Sequence, residues 1–373
     1  MKYELIENFR SKSNLVDFTN QFVTRIRHRL KENPIIAKQT DNGKVKVVRY
    51  KSENLIEPLV KDILSTELRG SVCVLTYTND EALQVSGLLL KNGMPARLIQ
   101  DNSGFSLLKL DEISFFLSRL HSVEDIFLID DAVWDRAKKE LQTVFQNSNK
   151  LESCLGLIRD FETINPKRRY KSDLELFIRE SKLNDFFGES GETIFVSTIH
   201  KVKGKEFDHV FLMLNNFNLS SDEKIRQLYV AMTRARRELT IHLNSDFLDG
   251  LSSENVEHIE DKNNYLPPEE LAIHLTHSDI WLDYFINRQS QIAPLRSGDT
   301  LYVRGDECLD GNGQSVLKFS RNFMSKHYER LHRQGYELKR AMVNFIVCWQ
   351  SEKAAKEIKI ILPELFFKKK ISE

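Results

Sequence analysis

Residues 193–214 read TIFVSTIHKVKGKEFDHVFLML. The β-branched run TIFVSTI predicts a buried strand that stops at Thr198-Ile199, and HVFLML predicts a second strand from His209. Between them runs a polar loop that holds His200, Lys203, Gly204, Lys205 and Glu206. A parallel crossover normally needs about a dozen residues or more, and this connection is shorter, so the two strands are not expected to be neighbours. The loop is either an ordinary solvated connection or a grip on something anionic.

Working outward, strands and helices alternate. NLVDFTNQFVTRIRHRL (14–30) carries apolar residues at helical spacing, and VKVVRY (45–50) is a short strand. A helix precedes the buried strand SVCVLTYT (71–78), and NDEALQVSGLLLKNG (79–93) is a helix with Asn79 as N-cap and Gly93 as its stop. ARLIQ (96–100) closes the first set of strands, and ELTIHL (238–243) continues the sheet after residue 193. Alternation of this kind gives an α/β fold with a mostly parallel sheet covered on both faces. From about residue 105 to 189 only helical stripes appear, the last with Ser172 and Glu175 as a capping box. After 250 a polar linker leads through Pro267-Pro268 into a predicted helix, EELAIHLTHSDIWLDYFIN (269–287). Strands around an Asp310–Gly313 turn and a helix near FMSKHYERLHRQG follow, with two more strands after it, RAMVNFIVCWQ and KEIKIILPEL. This last part is read as a small α+β or barrel-like domain.

The chain has 54 Lys and Arg against 54 Asp and Glu, so any nucleic-acid contact must be a local groove rather than a global field. No apolar stretch is long enough to cross a bilayer, and the acidic start MKYELIENFRS does not suit a signal peptide, so a cytoplasmic protein without membrane contact is expected. Cys73, Cys154, Cys308 and Cys348 are scattered and read as buried apolar thiols, with no metal site expected.

Two further stretches belong with the loop. In EKIRQLYVAMTRARREL (223–239), started by a Ser220/Glu223 capping box, a continuous helix would put Arg226, Val230, Thr233 and Arg237 on one side with Arg234 beside them. Ala231 and Ala235, one turn apart, would let that helix lie close to a sheet. Guanidinium groups so clustered suit a phosphate, to which they bond bidentately. In LIENFRSKSN (5–14), Phe9 can stack on a base while Arg10 reaches a phosphate. Taken singly, each stretch has an ordinary reading as a helix start, a solvated face or a turn.

Together, and in this order, LIENFRS, TIHKVKGKEF and YVAMTRA resemble motifs IV, V and VI of the UvrD/Rep-type superfamily 1 DNA helicases, over roughly residues 3 to 245. The resemblance implies a RecA-like motor domain, 2A, over 1–105 and 190–248, interrupted by a short 2B-like helical insertion over 106–189. A linker and helix (249–290) and a small SH3/Tudor-like or α+β domain (291–373) would follow. It further implies ATP as ligand, bound by Phe9 stacking on adenine, Glu206 on the ribose, and Arg10 and Arg234 at the γ-phosphate, with Gly204 also among the ATP-binding residues. Arg234 would be the arginine finger, with Arg10 as second catalytic group. Thr198, His200 and Lys203 would face single-stranded DNA. Movement would be 3′ to 5′.

No G-x-x-x-x-G-K-[ST] occurs, nor an acidic pair for magnesium in the family's order. The expectation is therefore the C-terminal portion of a longer helicase, inactive alone, with ATP and magnesium held mainly by an N-terminal motor domain partner. The alternative is a non-catalytic DNA- or protein-binding module derived from a helicase. Weaker signals are His274 and His277 on one helical turn, the basic run 167–171, the Lys368–Lys370 tail as a solubilising end, and a protein partner for the last domain.

Overall fold

The computed structural model of the chain describes residues 6–29, 33–98, 105–120, 128–166, 168–181, 193–201, 204–350 and 357–370. Its elements run in order β1 (Glu7–Asn8), α1 (Ser13–Val23), β2 (Ile36–Ala37), β3 (Lys44–Tyr50), α2 (Ile56–Ser65), β4 (Val72–Thr76), α3 (Asn79–Lys91) and β5 (Ala96–Leu98). Four helices follow: α4 (Asp111–Arg119), α5 (Asp131–Val144), α6 (Leu151–Ile164) and α7 (Lys171–Glu180). The strands resume with β6 (Ile194–Thr198) and β7 (Phe207–Leu214), then α8 (Asp222–Met232), β8 (Ala235–Leu243) and β9 (Val256–Asp261). The C-terminal strands are β10 (Glu270–His274), β11 (Thr300–Arg304), β12 (Glu307–Leu309), β13 (Ser315–Lys318), β14 (Tyr336–Trp349) and β15 (Ile358–Lys369).

Two compact units result: residues 1–101 with 190–271, and 102–189 with 272–373. The first is built on a seven-stranded sheet in the order β5-β6-β4-β7-β8-β3-β9, whose pairs are all parallel. β4 lies between β6 and β7, so the short connection at 199–206 joins strands that are not paired to each other. The central strands read as unbroken apolar runs because helices cover both faces; every residue of β4 is buried, as are all but one of β7. Phe18 and Phe22 of α1 pack with Val45 and Val47 of β3, Ile241 of β8, and Leu228 and Met232 of α8. Gly43, just before β3, is required by close approach: an added Cβ would sit 1.9 Å from the Arg237 carbonyl oxygen.

In the second unit, Trp134 of α5 meets Phe116 of α4 edge-on and stacks on Phe161 of α6, with ring centroids 5.2 and 5.9 Å away. The six-stranded sheet runs β10-β15-β14-β11-β12-β13, with antiparallel pairing throughout β14–β15, β11–β14, β11–β12 and β12–β13. Register shifts in β14 at Leu338/Arg340 and Val343/Phe345 bend the long hairpin. The helical insertion expected over 106–189 and the domain expected over 291–373 fall in this one unit. The physical reason is visible in buried polar contacts: Glu112 of α4 accepts from Ser148 (2.6 Å) and Ser297 (3.3 Å), and Lys359 pairs with Asp111 at 2.7 Å.

Local expectations shift in four places. The helix expected over 269–287 is instead the strand β10, a turn closed by the Thr276 hydroxyl donating to Asp279 at 2.7 Å, and a short 3-10 segment at Leu282–Asn287. Leu271, Ile273 and Leu275 are buried while His274 is exposed, and the Leu275 amide donates to the Pro363 carbonyl in β15. A free sheet edge therefore overrode the helical spacing. His274 and His277 consequently do not share a helical turn; His274 faces Glu364 at 3.2 Å. The N-cap of α3 is Thr78, in a reciprocal box with Glu81, and that of α8 is Ser221, each one residue from the expected Asn79 and Ser220. Ser172 lies inside α7, which has no side-chain cap.

Candidate active site

The loop after β6 and the segment after α8 meet at one rim of the first unit. β7 and β8 pair in parallel, which brings Phe207 opposite Ala235 and so sets Glu206 beside the start of β8. The motif IV segment is tied to the same place: Ser11 Oγ donates to the Ala235 carbonyl at 3.0 Å, and the Lys12 amide donates to the Arg236 carbonyl at 3.0 Å. Asn8 Oδ1 accepts from the amides of Arg10 and Ser11, a local turn that fixes how Arg10 leaves the backbone. Gln39 adds a brace by donating to the carbonyls of Phe9 and Arg10.

Glu206 is the hub. Arg10 pairs with its Oε1 at 2.7 Å and Arg236 with its Oε2 at 3.3 Å. Arg234 donates from Nη1 to the neighbouring Lys205 carbonyl at 3.2 Å and from Nε to the Val230 carbonyl at 3.0 Å. Burial lowers the proton affinity of Arg234; the Arg10 charge lowers it further, and Glu206 opposes both. Three guanidinium groups share a rim with one carboxylate, and the surplus positive charge suits an oligophosphate. Phe9 is 68% exposed at this rim.

Arg234 is not on a helix face. α8 ends at Met232, Arg234 folds back onto its last turn, and Arg236 and Arg237 belong to β8. The expected single stripe of Arg226, Val230, Thr233 and Arg237 is therefore split. Of the expected alanine pair, Ala231 lies on the helix and Ala235 in the strand, both buried. Pairing with β7 captures the chain here. Arg236, the second partner of Glu206, was hidden in the run TRARR, where only a strand start after Arg234 would have singled it out.

Around the loop, Thr198 is only 5% exposed and lies opposite Thr76 of β4, whereas His200 is exposed. The His200 ring lies 6.2 Å from that of Tyr77, and Lys224 sits 5.7 Å from the rings of both Tyr77 and Phe217. Motif reading missed this aromatic and cationic group beside the loop. Gly204 adopts φ +85°, a conformation that favours glycine, and no atom crowds the place of a Cβ. Lys203 lies outside the described residues. Among the described residues no cluster of three His, Cys, Asp or Glu could hold a metal ion, and no helix is long and apolar enough to cross a membrane.

The family model of the UvrD-like helicase C-terminal domain matches residues 3–127 and 119–246, more than half of the chain. The chain belongs to that family. As a UvrD-like helicase C-terminal domain it also shares 39% identity over 62 residues with the RecBCD enzyme subunit RecB of Chlamydia pneumoniae, a match spanning 16% of this chain and 6% of that protein. Among solved structures, the C-terminal domain of a possible DNA helicase from Lactobacillus plantarum is 15% identical, with 67% of this chain and 98% of that one covered at a TM-score of 0.35. Arterivirus nonstructural protein 10, a helicase, is 13% identical at a TM-score of 0.14, covering 56% of this chain and 61% of that one. Neither structural likeness bears on the fold. The family match covers every strand of the parallel sheet except β9, the four helices α4 to α7, and the segments that build the Glu206 rim.

Proposed function

We propose that this UvrD-like domain is the C-terminal motor half of an ATP-dependent DNA helicase or translocase that moves 3′ to 5′ along single strands. The meeting of Arg10 and Arg234 beside Glu206 carries this reading. Arg234 acts as the arginine finger toward a γ-phosphate presented by a P-loop half, and Arg10 reaches the same phosphate when it leaves Glu206. Phe9 stacks on the adenine, and the open backbone at Gly204 lets the nucleotide approach. Glu206 exchanges its arginine partners for the ribose. Magnesium and most of the triphosphate are held by the P-loop half, because this sequence has no such loop. Alone the chain then hydrolyses no ATP. His200 and Lys203 contact the DNA backbone, and the nearly buried Thr198 fixes where their loop leaves the sheet.

The test joins the chain to a P-loop motor half and measures ATP hydrolysis with and without single-stranded DNA, and unwinding of 3′-tailed and 5′-tailed duplexes. DNA-stimulated hydrolysis with preference for the 3′ tail supports the reading. DNA binding with no hydrolysis in any pairing would leave the rival, a binding module without a motor. Within the same assay, His200→Ala is expected to weaken DNA stimulation while leaving DNA-free hydrolysis intact.

A further inference from the structure

The chain is neutral overall, but its positive charge is not evenly spread. Residues 326–340 hold five Lys and Arg against two Glu, and Lys368, Lys369 and Lys370 add three, leaving six net positive charges. The fold collects them at one end of the β14–β15 hairpin. The helical turn Glu329–Arg333 runs through Gly335, at φ +85°, directly into β14. There Tyr336 pairs with Lys369, Glu337 with Lys368 and Arg340 with Phe366, while the Lys370 amide donates to the Gly335 carbonyl at 2.7 Å.

Seven of these positive side chains face water: Lys326, Arg330, Arg333, Lys339, Arg340, Lys368 and Lys370 are all exposed. The two acids in this stretch, Glu329 and Glu337, are outnumbered. Glu337 is shared by Lys339 at 2.6 Å and Lys370 at 2.9 Å, and those two lysines pull its carboxyl down to about 2. Arg340 lies 3.7 Å over the Phe366 ring, a cation–π contact that holds the guanidinium at the surface. Arg330 and Arg333 are one helical turn apart and share a side.

We propose that this face of the C-terminal unit binds the phosphodiester backbone of a nucleic acid without reading its sequence. The proposal deepens the reading of the chain as part of a DNA motor and rests on it. Clustered lysines alone often only solvate a surface. Here the cations converge from segments about thirty residues apart, three of the seven exposed ones are arginines, and forked guanidinium groups match phosphate oxygens. A lipid surface is disfavoured, since none of the exposed large apolar side chains lies in 321–340 or 357–370 to insert among acyl chains.

The test titrates the full chain into labelled single-stranded DNA, and separately into duplex of the same sequence, by fluorescence anisotropy between about 50 and 200 mM salt. The charge-reversal variant Arg330→Glu, Arg333→Glu, Lys368→Glu is compared with Arg330→Gln, Arg333→Gln, both checked for unchanged circular dichroism. We expect the first to lose about tenfold or more in affinity and to flatten the slope of log affinity against log salt by about one per phosphate contact removed. The strand form that suffers more identifies the ligand, single strand or duplex. Unchanged affinity and slope for both variants would overturn the proposal, as would equal binding to phosphatidylserine vesicles. His200→Ala run alongside separates the two ideas. An effect there with none at the face sinks the face and keeps the motor; the reverse keeps the face and sinks the loop.

Discussion

Glu206 holds Arg10 and Arg236 at once, and that sharing predicts what its removal does. Both pairs are partly open to water, so their net stabilisation is small. Glu206→Gln is expected to destabilise the chain by less than about 1 kcal/mol. A melting temperature lower by more than about 4 °C would instead make Glu206 a structural pin. At this scale the sequence was informative where motif chemistry is local. Phe9, Arg10, His200, Glu206 and Arg234 were picked out from three short stretches, and the fold gathers Arg10, Glu206 and Arg234 at one rim. Arg236 and the Tyr77–Lys224 contact escaped because they depend on which residues a parallel pairing brings together. Thr198 looked accessible in the sequence, yet its strand position closes it off.

Elements were legible where the apolar period was long and their neighbours did not compete. β4 and β7 fall on the apolar runs read as strands, α4 to α7 occupy the stretch read as helical stripes, and the shortness of the 199–206 connection correctly separated β6 from β7. The stretch 269–287 failed because Leu271, Ile273 and Leu275 fit both a helix and an edge strand, and the edge of β15 decided between them. The turn formed by Thr276 and Asp279 was the available signal. Gly43 tests element packing most sharply. Its amide donates to Asn14 Oδ1 at 2.8 Å, and a Cβ there would collide with the Arg237 backbone in β8. Gly43→Ala should destabilise by about 2 kcal/mol or more, since backbone must move to relieve the overlap. A denaturation midpoint equal to wild type would mean that β3 can shift freely against β8.

For the whole molecule, the histidines buried inside the parallel sheet predict a loss of stability in acid. His209 in β7 is 4% exposed, stacks on Phe211 with centroids 4.0 Å apart, and meets Thr240 Oγ1 at 3.0 Å. Burial lowers its pKa to about 4, with the Asp62 charge opposing. The unfolded chain, near the ordinary value of about 6.5, binds this proton first as pH falls. Stability from this group is thus full above about pH 6.5 and is lost as pH drops toward 4, amounting to about 2 kcal/mol by pH 5. The melting temperature should fall between pH 7 and pH 5, and His209→Gln should shrink that fall. An equal fall in both proteins would assign the acid sensitivity elsewhere, with the buried His242–Asp62 contact at 3.2 Å as the next candidate.

If Arg10 and Arg234 act on one triphosphate, a double-mutant cycle of ATP hydrolysis will show the two side chains to be coupled. The chain joined to a P-loop motor half would be compared with Arg10→Ala, Arg234→Ala and the double variant, with DNA saturating. The account predicts that Arg234→Ala lowers kcat by about a thousandfold with little change in KM. It also predicts that the double variant is less impaired than the product of the singles, a coupling above about 1 kcal/mol. Wild-type kcat in Arg234→Ala, or strict additivity of the two losses, would contradict it.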